Sequence, residues 1–263
     1  MNIRKQAENY HCNKTTYFTY CNIGKVNVKI KWETINKLNK TSVNTVIRVI
    51  DLHTHTIFSD GELLPSELVR RAVIHGYEAI AITDHADYTN LEYLIDTARK
   101  AKYLEKEWDI RVLAGVELTH VPPRKIAPLA KKAKDLGAEI VVVHGETIAE
   151  PVASGTNAVS AACEYVDILA HPGLISEADV EAAKENNVCL EITARNGHNR
   201  TNGHVSRLSL EIGATLLVNT DTHAPENLIT DETALKIAIG AGLTEVQAKD
   251  VLRASAKKVA EIV

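Results

Sequence analysis

The sequence has few cysteines, few aromatic residues and no long apolar run. Its four cysteines lie far apart and form no CxxC pair, which excludes a disulfide framework and a cysteine-rich zinc site. No run of about eighteen apolar residues is present, so the sequence predicts no membrane-spanning helix. The first residues lack a charged-then-apolar signal segment with a cleavage site. We therefore expect a cytoplasmic protein without a membrane partner.

Motifs for several kinds of catalysis are absent as well. The sequence contains no GxSxG motif and no glycine-rich phosphate loop, which disfavours a protein nucleophile or a nucleotide cofactor. Histidine, in contrast, is abundant, with eleven residues of which ten follow residue 52. This uneven distribution indicates that imidazole groups serve a specific chemical purpose in the larger part of the chain.

The net charge of −4 conceals two segments of opposite charge. Residues 1–48 carry nine basic and two acidic residues (+7), and residues 49–263 carry 21 basic and 32 acidic residues (−11). The first segment shows no strand–turn–strand pattern apart from one short predicted strand at 28–32, and its composition cannot build a core. We expect a poorly structured extension outside the main domain. A basic arm that contacts nucleic acid is the alternative.

From residue 46, short apolar runs alternate with helical patterns. The predicted strands are residues 46–51, 79–83, 111–117, 139–144, 166–171, 188–193 and 215–221. The predicted helices are residues 65–75, 91–106, 125–136, 159–165, 177–185, 205–212, 235–241 and 244–262. This alternation indicates βαβ units and a parallel sheet, either open or closed into a barrel.

Metal-binding residue types follow nearly every predicted strand. Residues two apart on an extended segment point the same way, so His53 and His55 can converge, as can Asp221 and His223. A barrel gathers such groups from the carboxyl ends of all its strands, whereas an open sheet gathers ligands at one switch point. The sequence therefore predicts a barrel. Nitrogen and oxygen ligands without thiolate suit Zn, Mn and Fe alike.

Six motifs together resemble those of the PHP (polymerase and histidinol phosphatase) superfamily, over residues 49–263. They are DLHTHTIFSDGE (51–62), AITDH (81–85), GVEL (115–118), VVVHGE (141–146), DILAHPG (167–173) and NTDTH (219–223). The resemblance implies an α/β fold, namely a distorted (β/α)7 TIM-like barrel, and a phosphoesterase with two or three divalent metal ions.

Matched position by position, the resemblance implies three metal sites. The first would use His53, His55, Glu117 and Asp221, the second Glu117, His144 and His171, and the third Asp60, His85 and His223. Some members of the family have histidine at the position of Asp60, so occupancy of the third site can vary. No expected ligand is missing, and we therefore expect an active enzyme.

The expected reaction is hydrolysis of a phosphate ester by a hydroxide that bridges the metal ions, with Glu117, Asp221 and His223 as catalytic residues. A phosphomonoester such as histidinol phosphate or another small phosphorylated metabolite is the first hypothesis for the substrate. A phosphodiesterase or 3'-5' exonuclease is the alternative, although the acidic main segment disfavours long nucleic acids. A non-catalytic metal-binding barrel is the third hypothesis.

Residues near the predicted strand ends are candidates for binding the substrate. Arg195 closely follows the sixth strand, and its guanidinium could form a bidentate contact with phosphate. His198, Arg200 and His120 are further candidates, for which a solvated loop position is the alternative. Asp84 adjoins His85 and is expected to orient it or to relay a proton.

Overall fold

The computed structural model describes residues 18–23, 26–31 and 48–262. Contacts divide the chain into two units, residues 1–46 and 47–263. In the first unit, β1 (Phe18–Ile23) pairs antiparallel with β2 (Val26–Lys31). The strand predicted at 28–32 is thus found slightly earlier, and its end at Trp32 lies outside the described residues. The expectation of no strand–turn–strand pattern is wrong here, because the aromatic and β-branched residues of FTYCNI favour a strand.

The second unit is a nearly closed barrel of parallel strands, which confirms the predicted (β/α)7 TIM-like fold. In spatial order the strands are β10 (Leu216–Asn219), β9 (Cys189–Thr193), β8 (Ile168–Ala170), β7 (Ile140–His144), β6 (Arg111–Leu118), β4 (Ala79–Ile82) and β3 (Ile50–Asp51). A two-residue strand that was not predicted, β5 (His85–Ala86), pairs with β6 beyond the end of β4.

The barrel closes through the segments that follow its first and last strands. The N–H of Asp221 donates to the carbonyl of His53 at 3.0 Å, and the N–H of His55 donates to the carbonyl of Thr222 at 2.8 Å. The side-chain oxygen of Asn219 accepts from the N–H of Leu52 at 3.0 Å. Closure of the barrel therefore brings two predicted ligand segments side by side.

Six of the seven strands are shorter than predicted, and the three that differ by more than one residue do so for local reasons. The first begins at Ile50, because the N–H of Val49 donates to the side chain of Asp231 at 2.8 Å. The strands predicted to reach His171 and Asp221 end earlier, because these two residues have φ angles of 29° and 52°. A positive φ interrupts the extended conformation.

Helices cover the strands on the outside of the barrel. They are α1 (Pro65–Ile74), α2 (Leu91–Ala101), α3 (Pro123–Asp135), α4 (Thr156–Ala161), α5 (Glu177–Glu185), α6 (Asn202–Ile212), α7 (Asp231–Gly240) and α8 (Glu245–Ile262). The α5 helix matches its prediction, because Ser176 accepts the N–H of Asp179 and caps its start. No helix among residues 48–262 is both long and apolar enough to cross a membrane.

Other helix boundaries differ from the sequence-based expectation. The helix predicted at 91–106 changes to a 3-10 helix at Lys102–Lys106, and α3, α6 and α7 each begin two to four residues earlier than predicted. The helix predicted at 159–165 is found at 156–161. Its start is moved because the carboxylate of Glu146 accepts the N–H groups of Gly155 and Asn157 at 3.0 and 2.9 Å.

The interior of the barrel is apolar. Side chains from all seven main strands fill it, including Leu52, Leu113, Ile140 and Val142, all completely buried. Ala254, Val259 and Ile262 of α8 pack against this filling. Polar side chains therefore collect at the carboxyl ends of the strands, where a barrel places its active site.

Candidate active site

The first candidate metal site brings together four buried side chains. His53 and His55 follow β3, Glu117 lies near the end of β6, and Asp221 follows β10. The Nε2 atom of His53 is 3.3 Å from Glu117 Oε2 and 3.8 Å from Asp221 Oδ1. The Nε2 atom of His55 is 3.5 and 3.2 Å from the same two oxygens. Both imidazoles thus face both carboxylates, as the sequence analysis expected.

The second and third candidate sites adjoin the first. Glu117, His144 and His171 offer ligand atoms that all lie within 4.8 Å of one another. On the other side, His85 Nε2 and His223 Nε2 are 3.3 and 3.1 Å from Asp60 Oδ1. The structure therefore brings together all nine side chains predicted as metal ligands.

The geometry and the unpaired atoms of the site fit bound cations. Ligands of a tetrahedral zinc ion with bonds of about 2.0–2.1 Å are separated by about 3.3 Å. Three of the four nitrogen–oxygen distances in the first candidate site are close to this value, at 3.2–3.5 Å, and the fourth is 3.8 Å. Buried polar atoms are normally hydrogen-bonded. Eleven side-chain atoms among the described residues are buried without such a bond, and eight of them belong to His53, His55, Glu117, His171, Glu191 and Asp221.

The charges of the site favour the cation-binding protonation state at Glu117, His55 and His171. Against the effect of burial, neighbouring carboxylates instead raise the pKa of His53 well above its usual range and the pKa of His85 to about 9. Although burial opposes it, His53 and His85 hold the pKa of Glu117 well below its usual range. Burial, together with the positive charge of His85, lowers the pKa of His55 to about 4. Burial also lowers the pKa of His171. The carboxylate is therefore ionised and two of the imidazoles are neutral at neutral pH.

A buried carboxylate orients one of the histidines. Glu191 Oε2 lies 2.7 Å from His53 Nδ1 and accepts a hydrogen bond from Asn219 Nδ2 at 3.1 Å. This contact leaves His53 Nε2 free to face Glu117 and Asp221. No role was predicted for Glu191, because its partner lies 138 residues away in the chain. The sequence feature that could have indicated this role is a carboxylate within a strand that is otherwise buried on both faces.

Asp84 forms hydrogen bonds that hold the loop carrying Asp60 in place. It accepts hydrogen bonds from the N–H and the hydroxyl of Thr56 and from the hydroxyl of Ser59, each at 2.7 Å. In the same loop, a Cβ on Gly61 would lie 2.6 Å from the carbonyl oxygen of His55, so only glycine fits this approach. That Asp84 orients its neighbour His85 or relays a proton stays a prediction.

Strained backbone is concentrated at the site. Four non-glycine residues in the described part of the chain have a positive φ, and three of them are His120, His171 and Asp221. Such conformations cost about 1–3 kcal/mol each and persist where the surrounding structure enforces them, which is common at functional sites.

A cavity of about 550 Å³ opens above the candidate ligands and is lined by three of the four predicted substrate-binding residues, Arg195, His198 and His120. Arg195 is half-buried, and its Nη1 atom is 3.4 Å from the carbonyl oxygen of Asp221. His198 is buried and His120 is exposed. Arg200 is exposed and is not among the residues that line the cavity.

Comparison with known proteins identifies the family. A PHP domain model matches residues 51–150. A probable phosphatase of Thermoanaerobacter sp. strain X514 is 30% identical over 217 residues, covering 75% of this chain and 88% of that protein. The chain belongs to the PHP family. The uncharacterized protein MJ1295 of Methanocaldococcus jannaschii is 58% identical over 204 residues, which cover 77% of this chain and 94% of that protein.

Other relatives of this PHP protein include an enzyme that acts on DNA. The DNA polymerase/3'-5' exonuclease PolX of Bacillus subtilis is 29% identical over 228 residues, but the matched region spans only 39% of that longer protein. Two solved structures share the fold. A chain of archaeal ribonuclease P with mature tRNA has a TM-score of 0.62 at 13% identity, covering 80% of this chain and 90% of that one. Histidinol phosphate phosphatase from Lactococcus lactis, complexed with zinc, L-histidinol and phosphate, has a TM-score of 0.54 at 18% identity, covering 75% and 95%.

Family membership and the ligand geometry agree on the class of reaction. This PHP protein is an enzyme, a metal-dependent phosphoric ester hydrolase. The predicted family and enzyme class are thereby confirmed.

Proposed function

We propose that the enzyme hydrolyses a small phosphomonoester. The observation that carries this proposal is the convergence of nine candidate nitrogen and oxygen ligands, six of which line one cavity of about 550 Å³. Cavities of about 300–1,000 Å³ are typical for small molecules. The 30% identical relatives described as probable phosphatases support the same reaction. Histidinol phosphate is one candidate substrate, and another small phosphorylated metabolite is the alternative.

The metal ligands and the metals are part of the proposal. Zn, Mn or Fe ions, two or three in number, would be held by the three sets of side chains described above. When bound, such ions lower the pKa of coordinated water and neutralise charge on the phosphoryl oxygens. The carboxylates of Glu117 and Asp221 supply the negative charge that retains the cations. His223 faces both Asp60 and Asp221, at 3.1 and 3.3 Å, and links the third site to the first.

Arg195 is the proposed phosphate-binding residue. Its half-buried guanidinium lines the cavity next to the Asp221 backbone, where it can donate two hydrogen bonds to a phosphoryl group. Hydrogen bonds to charged groups contribute about 1.5–3 kcal/mol, so Arg195→Ala is expected to lower kcat/KM roughly 10- to 100-fold. Arg195→Lys should recover only part of this loss, because an ammonium lacks the planar fork. Equal kcat/KM values for the parent and Arg195→Ala would contradict the assignment.

A phosphodiesterase or 3'-5' exonuclease is the second candidate function. The identity to PolX favours it, and residues 1–48, with a charge of +7, offer a basic segment for a nucleic acid partner. The −11 charge of residues 49–263 opposes binding of long polyanions.

One experiment separates the candidates. The full chain, loaded with Mn²⁺ or Zn²⁺, is assayed for phosphate release from a panel of phosphomonoesters that includes histidinol phosphate, and for nucleotide release from oligonucleotides. We expect phosphate release from at least one monoester and none from oligonucleotides. The reverse result would establish the second candidate.

Matched variants test whether the site carries the activity. His55→Ala should abolish it, whereas His75→Ala, at an exposed histidine after α1, should leave it unchanged. If His55→Ala retains full activity, the first candidate metal site does not carry the reaction. If no substrate reacts under any metal condition, the barrel is a non-catalytic metal-binding protein instead.

A further inference from the structure

A second group of histidines surrounds Glu150, which lies on the loop after β7. His120 Nε2 and His144 Nε2 are 3.4 and 3.3 Å from Glu150 Oε2, and His198 Nε2 is 3.4 Å from Glu150 Oε1. These four residues are called the Glu150 cluster. Glu150 carried no assignment in the sequence analysis, and of the other three only His144 belongs to a predicted metal site.

Two of the three rings of the cluster, those of His144 and His198, have a polar partner on the second ring nitrogen, as metal-binding histidines usually do. His144 Nδ1 lies 3.1 Å from the carbonyl of Gly145, which can only accept, so the proton is on Nδ1 and Nε2 keeps its lone pair. His198 Nδ1 lies 2.9 Å from the hydroxyl of Thr147. The carbonyl fixes both the tautomer and the direction of the His144 ring, whereas the hydroxyl, which can donate or accept, fixes only the direction of the His198 ring.

The spacing and the exposure of the cluster also suit a cation. The two distances to Glu150 Oε2, 3.3 and 3.4 Å, equal the ligand separation of about 3.3 Å around tetrahedral zinc. The ligand atoms of His120, His144 and Glu150 all lie within 4.8 Å of one another. His144 and His198 are buried, whereas His120 and Glu150 are 45% and 41% exposed, so an ion can enter from solution.

We propose that the Glu150 cluster binds a divalent cation of the Zn²⁺, Mn²⁺ or Fe²⁺ class at the mouth of the cavity. His120, His144 and Glu150 are the ligands, and His198 is a positioning residue that holds the second carboxylate oxygen. Three protein ligands leave a coordination position open, as in catalytic rather than structural zinc sites.

The outer ion competes with the ion of the second site for one atom. The Nδ1 atom of His144 is engaged by the Gly145 carbonyl, so only Nε2 can bind a metal. An ion held by Glu117, His144 and His171 and an ion in the Glu150 cluster therefore exclude each other. The Glu150 cluster is therefore an alternative, outer binding position for the same cation. It lies next to the inner position formed by Glu117, His144 and His171.

The test first removes the inner binding position by replacing its ligand His171. Two full-length variants are compared, His171→Ala and His171→Ala/Glu150→Gln. Both are freed of metal with a chelator and then titrated with Zn²⁺ in competition with a chromophoric chelator. Bound zinc is counted by mass spectrometry after dialysis. We expect the double variant to bind one zinc fewer than His171→Ala, or to bind it at least about 10-fold more weakly. Identical counts and affinities in the two proteins would overturn the proposal.

Two further variants show whether a lost zinc ion is specific to the Glu150 cluster. His120→Asn, at an exposed ligand, should reproduce the loss in the His171→Ala background and decides the question if the double variant does not fold. Glu181→Gln, at an exposed carboxylate of α5, is the matched control and should change nothing. Because only zinc binding is measured, the outcome is independent of whether the enzyme hydrolyses phosphomonoesters.

Discussion

Replacing Glu191 by glutamine should weaken metal binding at the first site without unfolding the barrel. The side chain is completely buried, and its contact with His53 Nδ1 at 2.7 Å is the shortest of the contacts that His53 makes with the carboxylates around it. Glutamine keeps the size of the side chain and one acceptor oxygen but loses the negative charge. That charge makes His53 a stronger ligand by stabilising the proton on Nδ1.

Loss of such a supporting partner typically costs 10- to 100-fold in metal affinity, which corresponds to about 1.4–2.7 kcal/mol. We expect a shift of this size in the zinc concentration at half-maximal activity for Glu191→Gln. The maximal rate at saturating zinc should change less, because His53 itself is still present.

The assay is metal-dependent hydrolysis measured over a zinc titration, with zinc affinity measured independently by chelator competition. Glu181→Gln is the control for removal of a carboxylate elsewhere on the surface. An unchanged zinc affinity in Glu191→Gln would refute the argument. A rate that stays low at saturating zinc would show that Glu191 has a role other than orienting His53.

Three further predictions follow from the same structure. Removal of bound metal with a chelator should lower Tm, because a ligand at 100 times its Kd stabilises the folded state by about 2.7 kcal/mol; a Tm that does not respond to chelator would contradict metal binding in the core of the site. Asp84→Ala removes the acceptor of three hydrogen bonds that hold the loop of Asp60. The zinc affinity of the third site should therefore fall while that of the first site is retained, as the number of zinc ions bound at limiting metal would show. Asp167 contacts Lys134 and Lys258 at 2.5 and 3.1 Å and joins α8 to the strands. Asp167→Ala should lower the free energy of unfolding in urea by at least about 1.5–3 kcal/mol, with unchanged activity per folded molecule; equal urea midpoints would contradict this.

The architecture could be predicted because its signals are local and repeated. Buried parallel strands appear as short apolar runs, and helices appear as periodic patterns between them. Where the end of an element depends on its own residues, the prediction was accurate, as for α5 with its cap Ser176. The start of α4 could not be predicted, because the carboxylate that binds its first N–H groups belongs to Glu146, in another segment.

The candidate site likewise has residues that could be predicted from the sequence and residues that could not. The donors of the three predicted metal sites lie in short motifs at strand ends, and barrel topology alone brings strand ends together. Glu150 and Glu191 lie in no such motif, and their roles depend on partners that are distant in the chain. His120 and His198, which are predicted to bind phosphate, line the cavity and also face the carboxylate of Glu150, a contact that no sequence pattern indicates.

The amino-acid sequence by itself determined the barrel, the residue types at its carboxyl end and the family of the enzyme. Hydrophobic periodicity and the identity of metal ligands are properties that a linear chain displays. Only the tertiary structure decided which atoms face one another. The hydrogen bonds that close the barrel, from Asp221 to His53 and from His55 to Thr222, set the separation of the candidate ligands of the first site. The loop after β7 places a further carboxylate among three imidazoles, because backbone path and burial, and not composition, control the direction of each side chain.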